Sequence, residues 1–278
     1  MLLNGPLNTF LFKAIHASIE GGKEILKVYD TPFSVEYKED DTPLTKADQN
    51  ASEKIISLLA DTHIPVLSEE GEHFTYEKRK VLSDLWIVDP LDGTKEFVKR
   101  NGEFTVNIAL VRNNKPVLGV IYSPVFKNLY FAAGGLGSFK ISRHDLIPVI
   151  DELERFSTEK IISLAKKLPL QSYPEVYTLV ASRSHLSSEV YAYIEKTKTK
   201  HNEVNIVNTG SSIKMCWVAE GIANEYPRFG PTMEWDTAAG QAILENAGCE
   251  LIDLSTNEPM KYNRPELRNN SFVARRKS

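Results

Sequence analysis

The amino-acid sequence predicts an α/β protein in which layers of helices alternate with mixed β-sheets. Three observations predict this class. Residues 9–29 carry apolar side chains at helical spacing, whereas residues 104–132 contain three successive apolar runs separated by turn signals. Residues 85–88 form another short apolar run, which ends at Asp89-Pro90. Helices and strands that follow one another in this way pack as layers around a shared core.

The composition limits the classes of function. Of the 278 residues, 42% are hydrophobic and 25% are charged, as in an ordinary globular protein. The net charge of −4 and the lack of an extended basic run disfavour a nucleic-acid polymer as a partner. Cys216 and Cys249 lack the spacing of a metal site, so we expect buried thiols in a reducing compartment. The sequence has neither a long apolar stretch nor a signal-peptide pattern, which predicts a cytoplasmic protein and leaves peripheral association with the inner face of the membrane open.

The first half of the chain begins with the helix at residues 9–29. Residues 33–37 alternate weakly and predict an edge strand or hairpin arm, and the charged residues 38–43 predict a solvent-exposed loop. A second helix is expected to begin after Thr45. Asp48 lies in its first turn, where the helix dipole favours a carboxylate that could serve simply as a cap.

Acidic residues follow two of the predicted strands. Residues 65–68 form a short strand that leads into the acid-rich residues 69–72, where like charges repel unless solvent or a cation relieves them. The same arrangement recurs at Asp89. If both strands belong to one sheet and end on one side, Glu69, Asp89 and Asp92 converge.

The segment DPLDGT is the centre of the predicted site. Pro90 cannot continue a central strand, so the chain turns where Asp89 and Asp92 stand three residues apart. Gly93 allows a tight backbone, and Thr94 is expected to be the N-cap of the next helix. Two carboxylates beside a positive helix end suit divalent cations and a phosphate. Taken alone, the same segment could be an ordinary polar turn.

A polar, irregular stretch separates two halves of the chain. A helix is predicted at residues 95–100, before the three strands. Residues 142–173 have weak helical runs and are the best candidate for a boundary, which predicts an α+β half at 1–145 and an α/β half at 146–278. We expect the halves to form one integrated catalytic unit.

The second half begins with a predicted strand at residues 176–181, followed by His185 and by a helix that Ser187 caps. A strand at residues 204–207 leads into Thr209-Gly210-Ser211-Ser212 and then into a helix with Lys214. A strand followed by glycine, hydroxyls and a helix start predicts an anion pocket made of backbone N–H groups.

The C-terminal part supplies a fourth acid. Residues 221–226 predict a strand, after which Arg228 places a cation beside aromatic residues. A helix that runs to residue 247 has Asp236 in its first turn. The basic residues 275–277 are expected to be disordered.

Four acids share a position at strand ends or helix starts: Glu69, Asp89, Asp92 and Asp236. With their flanking segments SEE (68–70), WIVDPLDGT (86–94) and WDTAAG (235–240), they resemble the lithium-sensitive, Mg²⁺-dependent phosphatase superfamily that contains inositol monophosphatase and fructose bisphosphatase. The resemblance covers nearly the whole chain. It implies a five-layered αβαβα sandwich with mixed sheets.

Longer segments resemble one branch of that superfamily, the bacterial 3'(2'),5'-bisphosphate nucleotidases tied to sulfate assimilation. These segments are DGTKEF followed by RNGEFT (92–105), GSSIK (210–214) continued by AEG (219–221), and YPRFGPT (226–232). The resemblance implies hydrolysis of the 3'-phosphate of adenosine 3',5'-bisphosphate to AMP and phosphate by a metal-activated water.

The resemblance also implies roles for individual residues. One Mg²⁺ would be held by Glu69, Asp89 and the Leu91 carbonyl, a second by Asp89, Asp92 and Asp236, and a third, weaker ion would lie near Glu69. The catalytic group would be Asp48, Thr94 and Glu69, with Thr94 and Asp48 orienting the attacking water. Residues Lys38, Asp40 and Asp41 would form a flap over the metals. The residues expected to contact substrate are Leu91, Asp92, Gly93, Thr94, His185, Ser211, Lys214, Arg228 and Asp236.

The chemistry of the residues supports a metal-dependent phosphatase independently. Hard Mg²⁺ prefers oxygen ligands, which matches a set of carboxylates without Cys or His. Two such ions neutralise phosphate charge and supply a nucleophile at neutral pH. Lys214 and Arg228 would anchor the second phosphate of a bisphosphorylated substrate, which an inositol monophosphatase does not need.

Three other interpretations remain. The same chemistry could act on an inositol monophosphate or a sugar bisphosphate, and the sulfonucleotide 3'-phosphoadenosine 5'-phosphosulfate could also be used. A haloacid-dehalogenase-type phosphatase uses a nucleophilic Asp with a second Asp two residues later, and the spacing of three between Asp89 and Asp92 disfavours it. The third interpretation, a nucleotide-binding module without catalysis, is opposed by the intact acids and Thr94.

Overall fold

Helices form where apolar side chains recur at helical spacing. The computed structural model describes residues 6–37, 43–71, 74–182 and 187–277. The helices in these residues are α1 (Pro6–Tyr29), α2 (Lys46–Leu59), α3 (Tyr76–Arg79), α4 (Thr94–Val98), α5 (Arg143–Asp151), α6 (Thr158–Leu164), α7 (Ser188–Lys198), α8 (Ile213–Glu220) and α9 (Glu234–Asn246). None of the described helices is long and apolar enough to cross a membrane.

Strands fill most of the predicted apolar runs. They are β1 (Glu36–Tyr37), β2 (Pro43–Leu44), β3 (Val66–Ser68), β4 (Asp84–Asp92), β5 (Thr105–Arg112), β6 (Lys115–Ser123), β7 (Asn128–Ala133), β8 (Gly137–Ile141), β9 (Lys166–Lys167), β10 (Tyr177–Ala181), β11 (Val204–Asn208), β12 (Glu225–Arg228), β13 (Cys249–Asp253), β14 (Glu258–Pro259) and β15 (Phe272–Arg276). Within the described residues β1 and β2 pair as a small antiparallel two-stranded sheet.

The first large sheet brings two acid-bearing strand ends together. Its described strands have the order β3-β4-β5-β6-β7-β8-β9. Strand β3 is parallel to β4, with Ser68 opposite Val88, whereas the other neighbours are antiparallel. Parallel strands point to the same side, so Glu69, just after the end of β3, lies beside Asp89 near the end of β4, and the Glu69 N–H donates to the Val88 carbonyl at 3.1 Å. The predicted convergence of the two strand ends is confirmed.

Both faces of this sheet are buried, which explains the nearly continuous apolar runs of its strands. Alternate side chains of β4 enter different cores because the side-chain period of a strand is two residues. Trp86 and Val88 pack in the core shared with α1 and α2. Leu85 and Ile87 pack in a second core with α8 and α9.

The second large sheet lies on the other side of α8 and α9. Its described strands have the order β11-β10-β12-β15-β13-β14. Residues of β13 and β15 contribute to the core that contains α8 and α9, and α7 packs on β11 and β12 in a small outer cluster. The layers are therefore helix, sheet, helix, sheet, helix, and the predicted five-layered α/β sandwich is confirmed.

Helix α9 approaches the first sheet closely at Gly119 of β6. A Cβ atom at this position would lie 2.4 Å from the Ala239 carbonyl oxygen and 2.8 Å from the Ala242 Cβ. No larger residue fits without moving α9. Because Asp236 is in the first turn of the same helix, this contact helps to fix its distance from the first sheet.

Two predictions for the C-terminal part are wrong. Residues 275–277 are not a disordered tail, because Phe272–Arg276 forms a strand between β12 and β13, and Arg275 Nε donates to Glu250 Oε1 at 2.8 Å. The strand expected at 221–226 begins only at Glu225, because Gly221 takes a left-handed conformation that ends α8. Local composition suggested otherwise in both cases. Pairing with strands distant along the chain decided the first case, and the helix end at Gly221 decided the second.

Residues 142–173 are more regular than predicted. They contain α5, α6 and β9, and β9 pairs with β8 as the last described strand of the first sheet. The division into halves at residue 145 stays a prediction.

Candidate active site at the end of the first sheet

The DPLDGT segment forms the floor of the site. Strand β4 continues through Pro90 to Asp92 instead of ending at Asp89, and its register against β5 shifts between the two acids. Such an irregularity re-aims side chains. Gly93 is the N-cap of α4 at φ +94°, so Thr94, the predicted N-cap, is the first helical residue instead. A Cβ at Gly93 would lie 3.2 Å from the Glu103 carbonyl oxygen, which makes glycine the suitable residue here.

Three acids from distant parts of the chain meet in one cluster, which we call the acid cluster. One carboxylate oxygen from each of Asp89, Asp92 and Asp236 lies within 4.8 Å of the others. Glu69 lies beside this cluster, because its N–H donates to the carbonyl of Val88, the residue before Asp89. The structure thus brings together the four acids that the sequence singled out.

Each member of the acid cluster is held by one of its two oxygens. Asp89 Oδ1 accepts from the Leu91 N–H at 3.0 Å, and Asp236 Oδ2 accepts from the Met233 N–H at 2.8 Å. Asp92 Oδ2 accepts from the Ser212 N–H at 2.6 Å and from Asn107 Nδ2 at 3.3 Å. The second oxygen of each acid accepts no hydrogen bond from the described residues, which suits a set of cation ligands.

Burying these carboxylates close together destabilises the folded protein unless they are protonated or bind a cation. Burial raises the pKa of Asp89 well above its usual value, and the charges of Glu69, Asp92 and Asp236 raise it further. Burial also raises the pKa of Asp236, with Asp92 and Glu69 adding to the effect. Like charges in a desolvated site favour protonation or a bound cation. The donor set and its electrostatics therefore fit a hard divalent metal ion.

Thr94 and Asp48 are hydrogen-bonded beside the acid cluster. Thr94 Oγ1 lies 3.3 Å from Asp48 Oδ1 and 3.3 Å from the Leu91 carbonyl oxygen. Asp48 is also the predicted cap of α2, because its Oδ2 accepts from the N–H and the hydroxyl of Thr45, each at 2.7 Å. Burial is the main cause that raises the Asp48 pKa to about 6.

A cavity of about 490 Å³ opens from the acid cluster toward the second sheet. It is lined by residues that the sequence predicted as substrate contacts: Asp92, Gly93, Ser211, Lys214, Arg228 and Asp236. Sequence reasoning did not assign Lys95, Glu96, Tyr226 or Thr232, which also line it. All four lie in the motif segments DGTKEF and YPRFGPT, so the motifs could have indicated them as cavity residues.

Three cationic side chains border the cavity: Lys95, Lys214 and Arg228. Lys214 is buried over the ring of Tyr226, 5.6 Å from its centroid, and burial lowers the Lys214 pKa to about 8. Arg228 NH2 donates to the Pro231 carbonyl at 3.2 Å. The buried Nε of Arg228 has no hydrogen-bond partner among the described residues. The Arg228 side chain lines the cavity, so its guanidinium group can pair with an anion bound there.

The turn at residues 209–212 differs from the predicted anion pocket. Its Gly210 N–H donates to Glu103 Oε2 at 2.9 Å, and its Ser212 N–H donates to Asp92 Oδ2. Two N–H groups expected to bind a substrate anion therefore hold protein carboxylates. Glu103 and Asn107, which the sequence interpretation missed, support the site in this way.

Some predicted residues lie outside the described part of the chain. These are Lys38, Asp40 and Asp41 of the expected flap, and His185 of the expected nucleotide contacts.

Known proteins resemble this chain along most of its length. Residues 7–277 match the inositol monophosphatase family. The chain belongs to that family. Within it, the chain is 45% identical over 236 residues to the 3'(2'),5'-bisphosphate nucleotidase CysQ of Salmonella typhimurium, covering 84% of this chain and 85% of that protein. It is 42% identical over 245 residues to the protein of the same name from Escherichia coli K12, covering 87% and 89%. A crystal structure of CysQ from Bacteroides thetaiotaomicron, described as a bacterial member of the inositol monophosphatase family, matches 98% of each chain with a TM-score of 0.89 and 47% identity.

Proposed function

We infer that the protein is a 3'(2'),5'-bisphosphate nucleotidase that hydrolyses the 3'-phosphate of adenosine 3',5'-bisphosphate to AMP and phosphate. The observation that carries this inference is one cavity that joins the acid cluster to Lys214 and Arg228. A substrate with two phosphates can place one at the acids and the other at the cations. The relatives at 45% and 42% identity are named for the same activity. We place the reaction in sulfate assimilation.

In this proposal the metal is Mg²⁺, and two to three ions bind at the acid cluster. Asp89, Asp92 and Asp236 would hold one ion through the oxygens that the hydrogen bonds leave available, and Glu69, Asp89 and the Leu91 carbonyl would hold another. Mg²⁺ supplies charge neutralisation at the phosphate and lowers the pKa of an attacking water. We expect Li⁺ to inhibit.

Thr94 and Asp48 act on the water. A hydroxyl has one proton and accepts through its lone pairs. When Thr94 Oγ1 donates to Asp48, its lone pairs face outward to accept from a water, which orients that water and assists its deprotonation.

The nucleotide is held at the far end of the cavity. Arg228 and Lys214 bind the phosphate that is not hydrolysed, and Ser211, which also lines the cavity, is a further contact to the adenosine 5'-phosphate portion. His185 is proposed as a further contact. An inositol monophosphate or a sugar bisphosphate is the alternative substrate within the family.

A phosphate-release assay tests the function. We expect turnover of adenosine 3',5'-bisphosphate to exceed that of inositol 1-phosphate and of fructose 1,6-bisphosphate, to require Mg²⁺ and to fall with Li⁺. Preference for inositol 1-phosphate would contradict the proposed substrate. Tight nucleotide binding without phosphate release would instead support a binding module, and a trapped phospho-aspartyl enzyme would contradict the direct attack of water.

The activity at saturating Mg²⁺ should rise with pH as Asp48 loses its proton, at or below a pH of about 6, because a nearby cation lowers the pKa of a carboxylate. Burial raises the Asp48 pKa to about 6, and Asp48 can accept the Thr94 proton only once it is ionised. The pH profile of kcat measures this. The Asp48→Asn variant should be slower and should lose this rise. An unchanged profile would remove Asp48 from the catalytic group.

A further inference from the structure

The first turn of α9 contains a carboxylate with no exposure to solvent. Glu234 is 0% exposed. Its Oε2 accepts from the Asn263 N–H at 2.6 Å, and its Oε1 accepts from the N–H and the Nε of Arg264 at 3.0 and 3.2 Å. Burying a carboxylate destabilises the folded state unless donors replace the lost water, and three donors do so here.

The segment at residues 263–269 encloses this turn. The Glu234 N–H donates to the Leu267 carbonyl at 2.9 Å. Asn269 Nδ2 lies 2.6 Å from the Met233 carbonyl and 3.0 Å from Thr237 Oγ1. The first turn is thus tied both before and after its buried carboxylate.

A buried arginine ties the same segment to the first half of the chain. Arg79 NH1 donates to Asn263 Oδ1 at 3.0 Å, and Asn263 Nδ2 donates back to the Arg79 carbonyl at 2.8 Å. Arg79 NH2 also donates to the Pro265 carbonyl at 3.0 Å. Arg79 ends α3, the helix that follows Glu69 in the sequence. Asn263 therefore connects the end of α3 to the segment that encloses the first turn of α9.

We propose that Glu234 is a positioning residue, which anchors the first turn of α9 to residues 263–269 and thereby holds Asp236 at the spacing from Asp89 and Asp92 that a divalent cation requires. The proposal rests on the metal-dependent function proposed above. Glu234 touches neither substrate nor metal, and it acts through Asp236, whose Oδ2 is held by Met233 of the same turn. A buried apolar residue of similar volume would often support stability equally well, so the charged network is better explained by the geometry it sets.

Direct binding of Mn²⁺, followed by electron paramagnetic resonance, tests the proposal without measuring activity. We expect the Glu234→Gln variant to raise the dissociation constant of Mn²⁺ about tenfold or more, the usual range for loss of a group that orients a metal ligand. The matched control is Glu220→Gln. Glu220 is also buried and accepts from Lys140 Nζ at 2.9 Å, at the end of α8 away from Ser212. This control should lower the melting temperature and leave the Mn²⁺ dissociation constant within about twofold of the wild type.

A second pair of variants distinguishes a positioning role of Glu234 from a general loss of stability. Arg79→Lys keeps the charge but cannot make both guanidinium hydrogen bonds, and it should weaken Mn²⁺ binding even if Glu234→Gln fails to fold. In an Asp236→Asn background, adding Glu234→Gln should change the dissociation constant little, because residues that act through one group are not additive.

Several results would overturn the proposal. These are unchanged Mn²⁺ binding in both Glu234→Gln and Arg79→Lys, equal weakening in Glu220→Gln, or full additivity with Asp236→Asn. Absence of Mn²⁺ binding by the wild type would be a different failure, since it would remove the metal site itself and the proposal with it.

Discussion

The Asp89→Asn variant should lose at least about a hundredfold in kcat/KM, the scale on which one group that stabilises developing charge contributes. Asp89 is the acid that both proposed metal sites share. Its Oδ1 accepts from the Leu91 N–H, a contact that an asparagine carbonyl can keep, so the turn should be preserved. A phosphate-release assay with adenosine 3',5'-bisphosphate across a range of Mg²⁺ concentrations measures the effect.

The same variant should separate metal binding from folding. In the absence of Mg²⁺ its melting temperature should be no lower than that of the wild type, because one buried like charge is gone. The increase in melting temperature on adding Mg²⁺ should shrink, since a ligand stabilises only the state that binds it. The matched control is Asp84→Asn, at the other end of β4, where Asp84 pairs with Arg112. Near-normal rates at modest Mg²⁺ in Asp89→Asn would contradict the metal assignment.

The Arg228→Ala variant should raise the KM for adenosine 3',5'-bisphosphate about ten- to a hundredfold, because a hydrogen bond to a charged group contributes about 1.5–3 kcal/mol and each 1.4 kcal/mol is a factor of ten. The buried Nε of Arg228 has no partner among the described residues, and the side chain lines the cavity. Michaelis constants measured for this substrate and for adenosine 3'-monophosphate, which lacks only the 5'-phosphate, show whether the lost contact is to that group.

Three further measurements show whether the rise in KM is specific to Arg228 and to the 5'-phosphate. The KM for the monophosphate should change by less than about threefold, because the lost charge-assisted contact is absent from it. Arg228→Lys should fall between the wild type and Arg228→Ala, since lysine keeps the charge without the planar fork. Arg112→Ala, a surface arginine paired with Asp84, should behave as the wild type. An equal rise in KM for both substrates would remove Arg228 from recognition of the second phosphate.

The candidate site could be predicted well where chemistry is local. Asp89 and Asp92 lie in the last four residues of β4, and Asp236 lies in the first turn of α9. The capping roles of Asp48 and Ser187 follow from the first turns of their helices. The prediction that the strand ends meet was also sound, because parallel neighbours must end on one side. Hydrophobic periodicity and capping chemistry act over a few residues, so they can be recognised in the sequence.

The errors fall where contacts distant along the chain decide the structure. The basic C-terminal residues become a strand because β12 and β13 flank them, and the N–H groups of Gly210 and Ser212 bind Glu103 and Asp92 instead of a free anion. Neither partner is near in sequence. The network around Glu234 was missed for the same reason, since Arg79 and Asn263 are 184 positions apart.

The sequence by itself determined the layered α/β class, the four acids and the membership of a metal-dependent phosphatase family, because these depend on local patterns and on short motifs. Only the tertiary structure decided that Asp89, Asp92 and Asp236 share one buried site, which oxygen of each is available, and that Lys214 and Arg228 border the same cavity. The reason is physical: a cation site depends on distances between side chains that separate strands and helices carry, and packing of the layers sets those distances.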